Sequence, residues 1–178
     1  QITDINQMSN IYLESIWVEI HVGASKKLVN ISYCPNKLNV NSFLDGLEKS
    51  LDKASQYKNE LILMGDYNIN MLNVKEFEKL DLIMKQYGLD PINTKTASRA
   101  CKTTETLIDH FFCETPQNFS YIISDTTLPT DHFLCRYISD IKVKPTRRTI
   151  KRTIFCKKNY DKISFKNSLR FAKWHTMY

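Results

Sequence analysis

Repeated changes in hydrophobic period are the feature that most constrains this chain. Residues 15–22 place Ile16, Val18, Ile20 and Val22 on one side and Trp17, Glu19 and His21 on the other, the period of two of a half-buried strand. Residues 28–33 repeat the pattern, and the short, polar, glycine-bearing segment 23–27 between them predicts a hairpin. After Pro35 the period lengthens. Leu44, Leu47, Leu51 and Ala54 recur at helical spacing behind Asn41, an N-cap candidate, so a helix is predicted over 42–57. Residues 61–64 form a continuous apolar run, short enough for a strand covered on both faces, that stops at Gly65-Asp66.

The alternation then repeats. Asn73 with Glu76 three residues on marks a helix start, Phe77, Leu80, Met84 and Tyr87 mark its apolar face, and Gly88 marks its stop. Residues 93–105, rich in Thr, Ser, Lys and Arg, read as loop, while 106–113, 121–124 and 132–138 read as strands. Strands interleaved with helices imply a mixed α/β architecture with helices packed on sheet faces. No internal repeat is visible.

Charge separates the chain into two parts. Residues 141–178 hold 12 Lys and Arg against the single acid Asp161, leaving 13 of the 25 bases and 18 of the 19 acids to residues 1–140. A basic tail of this kind suits a polyanion, and equally serves as a solvated linker. Residues 141–158 read as linker, and 160–174 as weakly helical. The longest apolar run falls far short of the ~20 residues that cross a bilayer, and no charged-then-apolar leader follows Gln1, so an intracellular protein with no membrane partner is expected. Five cysteines without a Cys-x-x-Cys pair suggest neither a zinc site nor a disulfide framework.

Three acidic motifs end or interrupt the apolar strands: Gly65-Asp66-Tyr67-Asn68, Leu107-Ile108-Asp109-His110 and Thr130-Asp131-His132-Phe133. A strand terminus is a rigid platform for aiming a carboxylate into a cleft. Hydrolysis of a phosphate ester needs charge neutralised on the phosphorus centre and a water activated, which carboxylates holding a divalent cation and an imidazole together supply. Each motif alone also has a plain reading, since turns and helix caps use aspartate, and a histidine beside an aspartate often forms a simple structural pair.

The three motifs in this order, preceded by Ile31-Ser32-Tyr33-Cys34-Pro35-Asn36, resemble the endonuclease/exonuclease/phosphatase family. The stretch from Ser98 through Arg99 to Leu107-Ile108-Asp109 is similar to the corresponding segment of jockey-like and CR1-like non-LTR retrotransposon endonucleases. The tail, with Arg152, Tyr160, Phe165, Leu169 and Trp174, resembles the connector between such an endonuclease and its reverse transcriptase.

The resemblance implies a DNase I-like four-layer α/β sandwich present only in its C-terminal part, residues 1–140, followed by a basic linker and the start of the connector over 141–178. It implies phosphodiester hydrolysis with Mg²⁺ or Mn²⁺ as cofactor, DNA as substrate and a reverse transcriptase in the parent polyprotein, with a nuclear site of action. By position, Asp66 would position or deprotonate the attacking water, Asn68 would hydrogen-bond the scissile phosphate, Asp131 with Asp66 would bind metal, and Tyr33 would face the phosphate. His132 would contact a phosphate oxygen or move a proton while Asp109 orients its ring, and Asn36 and Arg99 would contact the DNA backbone. A phosphoesterase of the same fold and a non-catalytic nucleic-acid-binding remnant are the alternatives.

Two residues implied by the resemblance, an upstream asparagine and a metal-binding glutamate, have no counterpart here. The matched region begins near the middle of the family's domain, so part of one sheet face is expected to lie uncovered. At about 25 cal/mol per Å², several hundred Å² of unburied apolar surface rivals a domain's net stability. Residues 1–178 alone are therefore expected to be marginally folded, to bind metal weakly and to have little or no activity.

Overall fold

The computed structural model describes residues 2–4, 13–23, 25–101, 103–126, 128–141 and 161–171. Contacts divide the chain into two units, residues 1–144 and 145–178. Of the linker expected over 141–158, residues 142–158 lie outside the described residues, as do the tail residues Arg152, Tyr160 and Trp174 and the side chains of Phe165 and Leu169.

In the first unit a six-stranded sheet runs in the order β1-β2-β3-β4-β8-β5. Its strands are β1 (Ile2–Asp4), β2 (Glu14–Val22), β3 (Ser25–Tyr33), β4 (Glu60–Asp66), β5 (Asp90–Pro91) and β8 (Asp109–Cys113). Helix α1 (Val40–Ala54) makes the crossover that lets β3 and β4 run parallel, and helix α2 (Val74–Gln86) follows β4. Both helices pack on one sheet face, where Phe43, Leu44, Leu47, Leu51, Leu80 and Met84 meet Trp17, Leu28, Leu63 and Phe112. On the opposite face Val29, Ile62, Phe111 and Cys113 pack with Phe119 and Tyr137 from a second, two-stranded antiparallel sheet, β9 (Phe119–Ser124) with β10 (Leu134–Ser139). Helices, main sheet and second sheet thus form three stacked layers of the sandwich fold.

Neither of the sheet faces that point away from the helices is fully covered. Ile16 and Ile31 are register partners on β2 and β3, yet are 53% and 49% exposed. On the outer side of the second sheet Ile122, Leu134 and Ile138 are exposed as well. The alternation in residues 15–22 is correct in period, but it is Trp17, 1% exposed, that enters the main core.

Several local expectations are corrected. Asn39, not Asn41, caps α1, its side chain accepting from the Asn41 amide at 2.8 Å. The helix ends at Ala54, before residue 57, because the amides of Gln56 and Tyr57 turn back to carbonyls three residues earlier. The β2/β3 turn is shorter than residues 23–27. Pairing extends to Val22↔Ser25, with Gly23 at φ 64°, which leaves Lys27 buried in the strand against Glu60 at 2.5 Å. Residues 93–105 are not all loop: β6 (Arg99–Cys101) and β7 (Thr104–Thr106) form a small hairpin. The strand expected over 106–113 begins only at Asp109, and the one expected over 132–138 begins at Leu134.

In the second unit α3 (Lys162–Phe171) is preceded by Asp161, whose carboxylate accepts from the Ile163 and Ser164 amides at 2.9 and 3.1 Å. No helix among the described residues is long and apolar enough to cross a membrane.

Candidate active site

Asp66 is the last residue of β4 and Asp109 the first of β8, and the antiparallel ladder pairs them directly. Residues opposed in this way share a sheet face. By alternation it is the face away from the helices, since Phe111 and Cys113 lie on it while His110 and Phe112 lie on the other. His132 arrives from the segment before β10 and its Nδ1 donates to Asp109 Oδ2 at 2.9 Å. One ligand atom from each of Asp66, Asp109 and His132 lies within 4.8 Å of the others.

Backbone geometry explains why glycine precedes Asp66. Gly65 has φ 147°, and a Cβ there would sit 1.8 Å from the Ser32 carbonyl oxygen. Only glycine permits this approach of β4 to β3. The Cys34 amide then donates to the Asp66 carbonyl at 2.9 Å. Asn68, at φ 50°, donates its amide to Asp66 Oδ1 at 3.1 Å and its carboxamide to the Cys34 carbonyl at 2.8 Å. One carboxamide N–H is thus committed to the backbone, and the second remains in the group's donor inventory.

Burial holds the Asp66 carboxyl above the usual carboxylate range, and the facing Asp109 reinforces this against the Asn68 amide, His132 and Arg99. This donor set fits a divalent cation, because two carboxylates and an imidazole with ligand atoms this close supply the oxygen and nitrogen donors that such an ion takes, and its charge would offset the negative charge of the carboxylates.

The metal pair expected from sequence, Asp66 with Asp131, differs from the group that the geometry assembles. Arg99 Nε donates to Asp131 Oδ2 at 2.6 Å, and that guanidinium holds the Asp131 carboxyl below its usual range, with His132 adding to the effect. Asp109 stands beside Asp66 in that group. Arg99 also forms a β-bridge with His132, so its side chain and backbone both tie the hairpin to the site. Tyr33 is 43% exposed and lines a cleft of about 430 Å³ with Ile16, Ile31, Gly65 and Asp66. Asn36 is exposed in the turn after Pro35, outside this hydrogen-bonded network among the described residues.

His110, adjacent to Asp109, points the opposite way. It is 3% exposed, its Nε2 donates to the Ile69 carbonyl at 2.8 Å, and its ring lies among Tyr67, Phe77 and Phe112. Burial pushes its pKa down to about 4, the behaviour of a neutral core histidine.

Leu107 and Ile108 lie between strands, and side chains receive their amides: Asn70 Oδ1 accepts from Leu107 at 3.0 Å, and Ser98 Oγ from Ile108 at 3.1 Å and Asp109 at 2.9 Å. These supports were not singled out from sequence, because a hydrogen bond between distant segments leaves no periodic trace.

No family model matches the chain, and no curated protein matches it. Solved structures do, and what they show is the fold: a DNase I-like α/β fold, as in endonuclease/exonuclease/phosphatase proteins. Among them is the endonuclease domain of TRAS1, a telomere-specific non-LTR retrotransposon, at 15% identity and a TM-score of 0.65, covering 77% of this chain and 65% of that one. A second is the 3'-5' exonuclease NExo of Neisseria meningitidis, at 13% identity and 0.56, covering 70% and 65%. A third is 3' phosphatase NExo from Neisseria bound to a product DNA hairpin, at 12% identity and 0.54, with the same coverage. At these identities the likeness is one of fold. The chain spans about 65% of the length of these structures.

Proposed function

We propose that the chain is part of a metal-dependent DNA endonuclease of the non-LTR retrotransposon kind, hydrolysing a phosphodiester to nick target DNA. The observation that carries this reading is the clustering of Asp66, Asp109 and His132 on one sheet face of this fold, with Asp109 bonded to the imidazole. The TRAS1 likeness and the basic excess over 141–178 favour DNA as the substrate.

A carboxylate accepts, so the Asp109 bond assigns the hydrogen to His132 Nδ1 and turns Nε2 toward proton exchange or a phosphate oxygen. Asp66, whose proton affinity is raised, is suited to accept a proton from an attacking water and to orient that water. Asn68 can direct its remaining N–H to a phosphate oxygen, and Tyr33 its hydroxyl from the cleft wall. Asp66 and Asp109 would hold Mg²⁺ or Mn²⁺, which when bound neutralises charge on the phosphate. Arg99, with donors beyond the one given to Asp131, and Asn36 would contact the DNA backbone. A reverse transcriptase in the parent polyprotein and action in the nucleus belong to the same reading. Residues 1–140 would be the nuclease part and 141–178 the linker and connector.

The test is nicking of supercoiled plasmid by the purified chain with Mg²⁺, beside an Asp66→Ala variant. The reading expects little or no nicking from residues 1–178 alone, and requires any nicking that occurs to disappear in the variant. Nicking that survives Asp66→Ala would refute it. The likeness to a 3' phosphatase supports a second reading, a phosphomonoesterase acting on DNA ends. Release of phosphate from a 3'-phosphorylated duplex without cleavage of the intact duplex would select it.

A further inference from the structure

The geometry points to Ser98 as a positioning residue that sets the Asp109–His132 pair. We propose that its hydroxyl, through two backbone amides, fixes where the Asp109 carboxylate meets the imidazole. Nothing in the function proposed above uses Ser98.

Ser98 is fully buried and occupies the point where the two halves of the pair are joined. Its Oγ accepts from the amides of Ile108 and Asp109 at 3.1 and 2.9 Å, and so grips the chain at the residue that carries the carboxylate. Its backbone carbonyl accepts from the Phe133 amide at 2.7 Å, gripping the chain one residue past the imidazole. Its backbone amide donates to the Thr106 carbonyl at 2.9 Å, closing the base of the hairpin. Asp109 and His132 are 23 residues apart in sequence, and Ser98 hydrogen-bonds the backbone at or beside each of them.

The chemistry of this segment makes the hydroxyl hard to replace. Residues 107 and 108 belong to no strand, so a sheet ladder does not hold their amides in register. A buried N–H must find an acceptor, and a hydroxyl oxygen with two lone pairs can serve two amides at once. Alanine would leave both without that partner, and the segment would shift to recover hydrogen bonds elsewhere. Displacements of about 1 Å at a reacting group can lower rates by about 100-fold.

The test compares the full chain with its Ser98→Ala, Ser98→Cys and Ser98→Thr variants by two readouts. The first is the downfield proton NMR resonance of the His132 Nδ1–H bonded to Asp109, assigned by its loss in Asp109→Asn. The second, which rests on the endonuclease reading, is the kinetics of plasmid nicking. In Ser98→Ala the resonance should disappear and kcat should fall roughly 10- to 100-fold, with KM within about twofold of the original. Ser98→Thr keeps the hydroxyl and should retain the resonance. Ser98→Cys, close in size but a weak acceptor, serves where alanine prevents folding and should also lose it. Wild-type resonance in a folded alanine or cysteine variant would overturn the proposal. Nicking that survives Asp66→Ala sinks the endonuclease reading, and with or without nicking by the parent chain the imidazole resonance decides the role of Ser98.

Discussion

Asp66 and Asp109 are direct cross-strand partners at the junction of β4 and β8, so two carboxylates oppose each other on one sheet face. Like charges in that position destabilise a sheet. Burial, with Asp109 behind it, raises the Asp66 pKa. A raised folded-state pKa means that the stability linked to Asp66 is present at low pH and is lost as pH rises through the folded value. At neutral pH, Asp66→Asn should therefore raise Tm, by roughly 2–4 °C if it relieves ~1 kcal/mol. Mn²⁺ should raise the Tm of the parent chain and leave that of the variant unchanged, as read by differential scanning fluorimetry. A variant less stable than its parent would contradict this account of the pair.

The pH profile of nicking follows from the same shift. If Asp66 must be ionised both to accept a proton and to hold the cation, kcat/KM should rise with pH on the acid side, and raising the Mg²⁺ concentration, which compensates the raised proton affinity, should move that limb to lower pH. His132→Ala should lower kcat by about 100- to 10,000-fold, the range typical of a lost acid–base group. An acid limb that stays fixed as Mg²⁺ concentration is varied would argue against Asp66 as both ligand and base.

His110 makes an independent prediction about stability. Its folded pKa, about 4, lies below the ordinary histidine value of 6.5. Between those values the unfolded chain binds a proton that the folded chain does not, so stability should fall as pH drops from about 6.5 toward 4. The loss should approach about 3 kcal/mol at full titration. Urea midpoints measured across this window should show the slope, and His110→Gln, which keeps a donor for the Ile69 carbonyl, should flatten it.

Gly65 should tolerate no side chain. Alanine would bring a Cβ to 1.8 Å from the Ser32 carbonyl oxygen, and backbone cannot yield as a flexible side chain does. Gly65→Ala should cost more than about 3 kcal/mol, read as a lowered urea midpoint or loss of soluble protein. By contrast, Ile16→Thr with Ile31→Thr alters an exposed register pair and should change stability by less than about 1 kcal/mol. That double variant should also bind less of the dye ANS.

Where side chains set their own period, the sequence revealed the fold. The strand around Trp17, the apolar run ending at Gly65-Asp66 and helix α2 behind Asn73 all carry local signals. The strand-end aspartates were legible for the same reason: Asp66 and Asp109 sit where apolar runs meet polar residues. Asn39 was missed because Asn41 offers the same chemistry two residues later, and only the helix's starting phase separates them. The hairpin at Arg99 was missed because its two strands have three residues each, and its pairing with residues 131–133 crosses more than thirty positions. That Asp109 faces Asp66 while Asp131 gives an oxygen to Arg99 was hidden for a similar reason, since the ladder register and the Arg99 contact are three-dimensional facts.

Three separate stretches meet at the cluster, residues 65–71, 98–109 and 131–133, and each is held by hydrogen bonds to another. Assembly of such a centre waits for long loops to close, a slow step in folding. A chain caught partway through refolding would hold its helices against the sheet before it held an imidazole against a carboxylate. Recovery of function should therefore lag behind recovery of helical circular dichroism, and the interval between them would time the docking of residues 131–133.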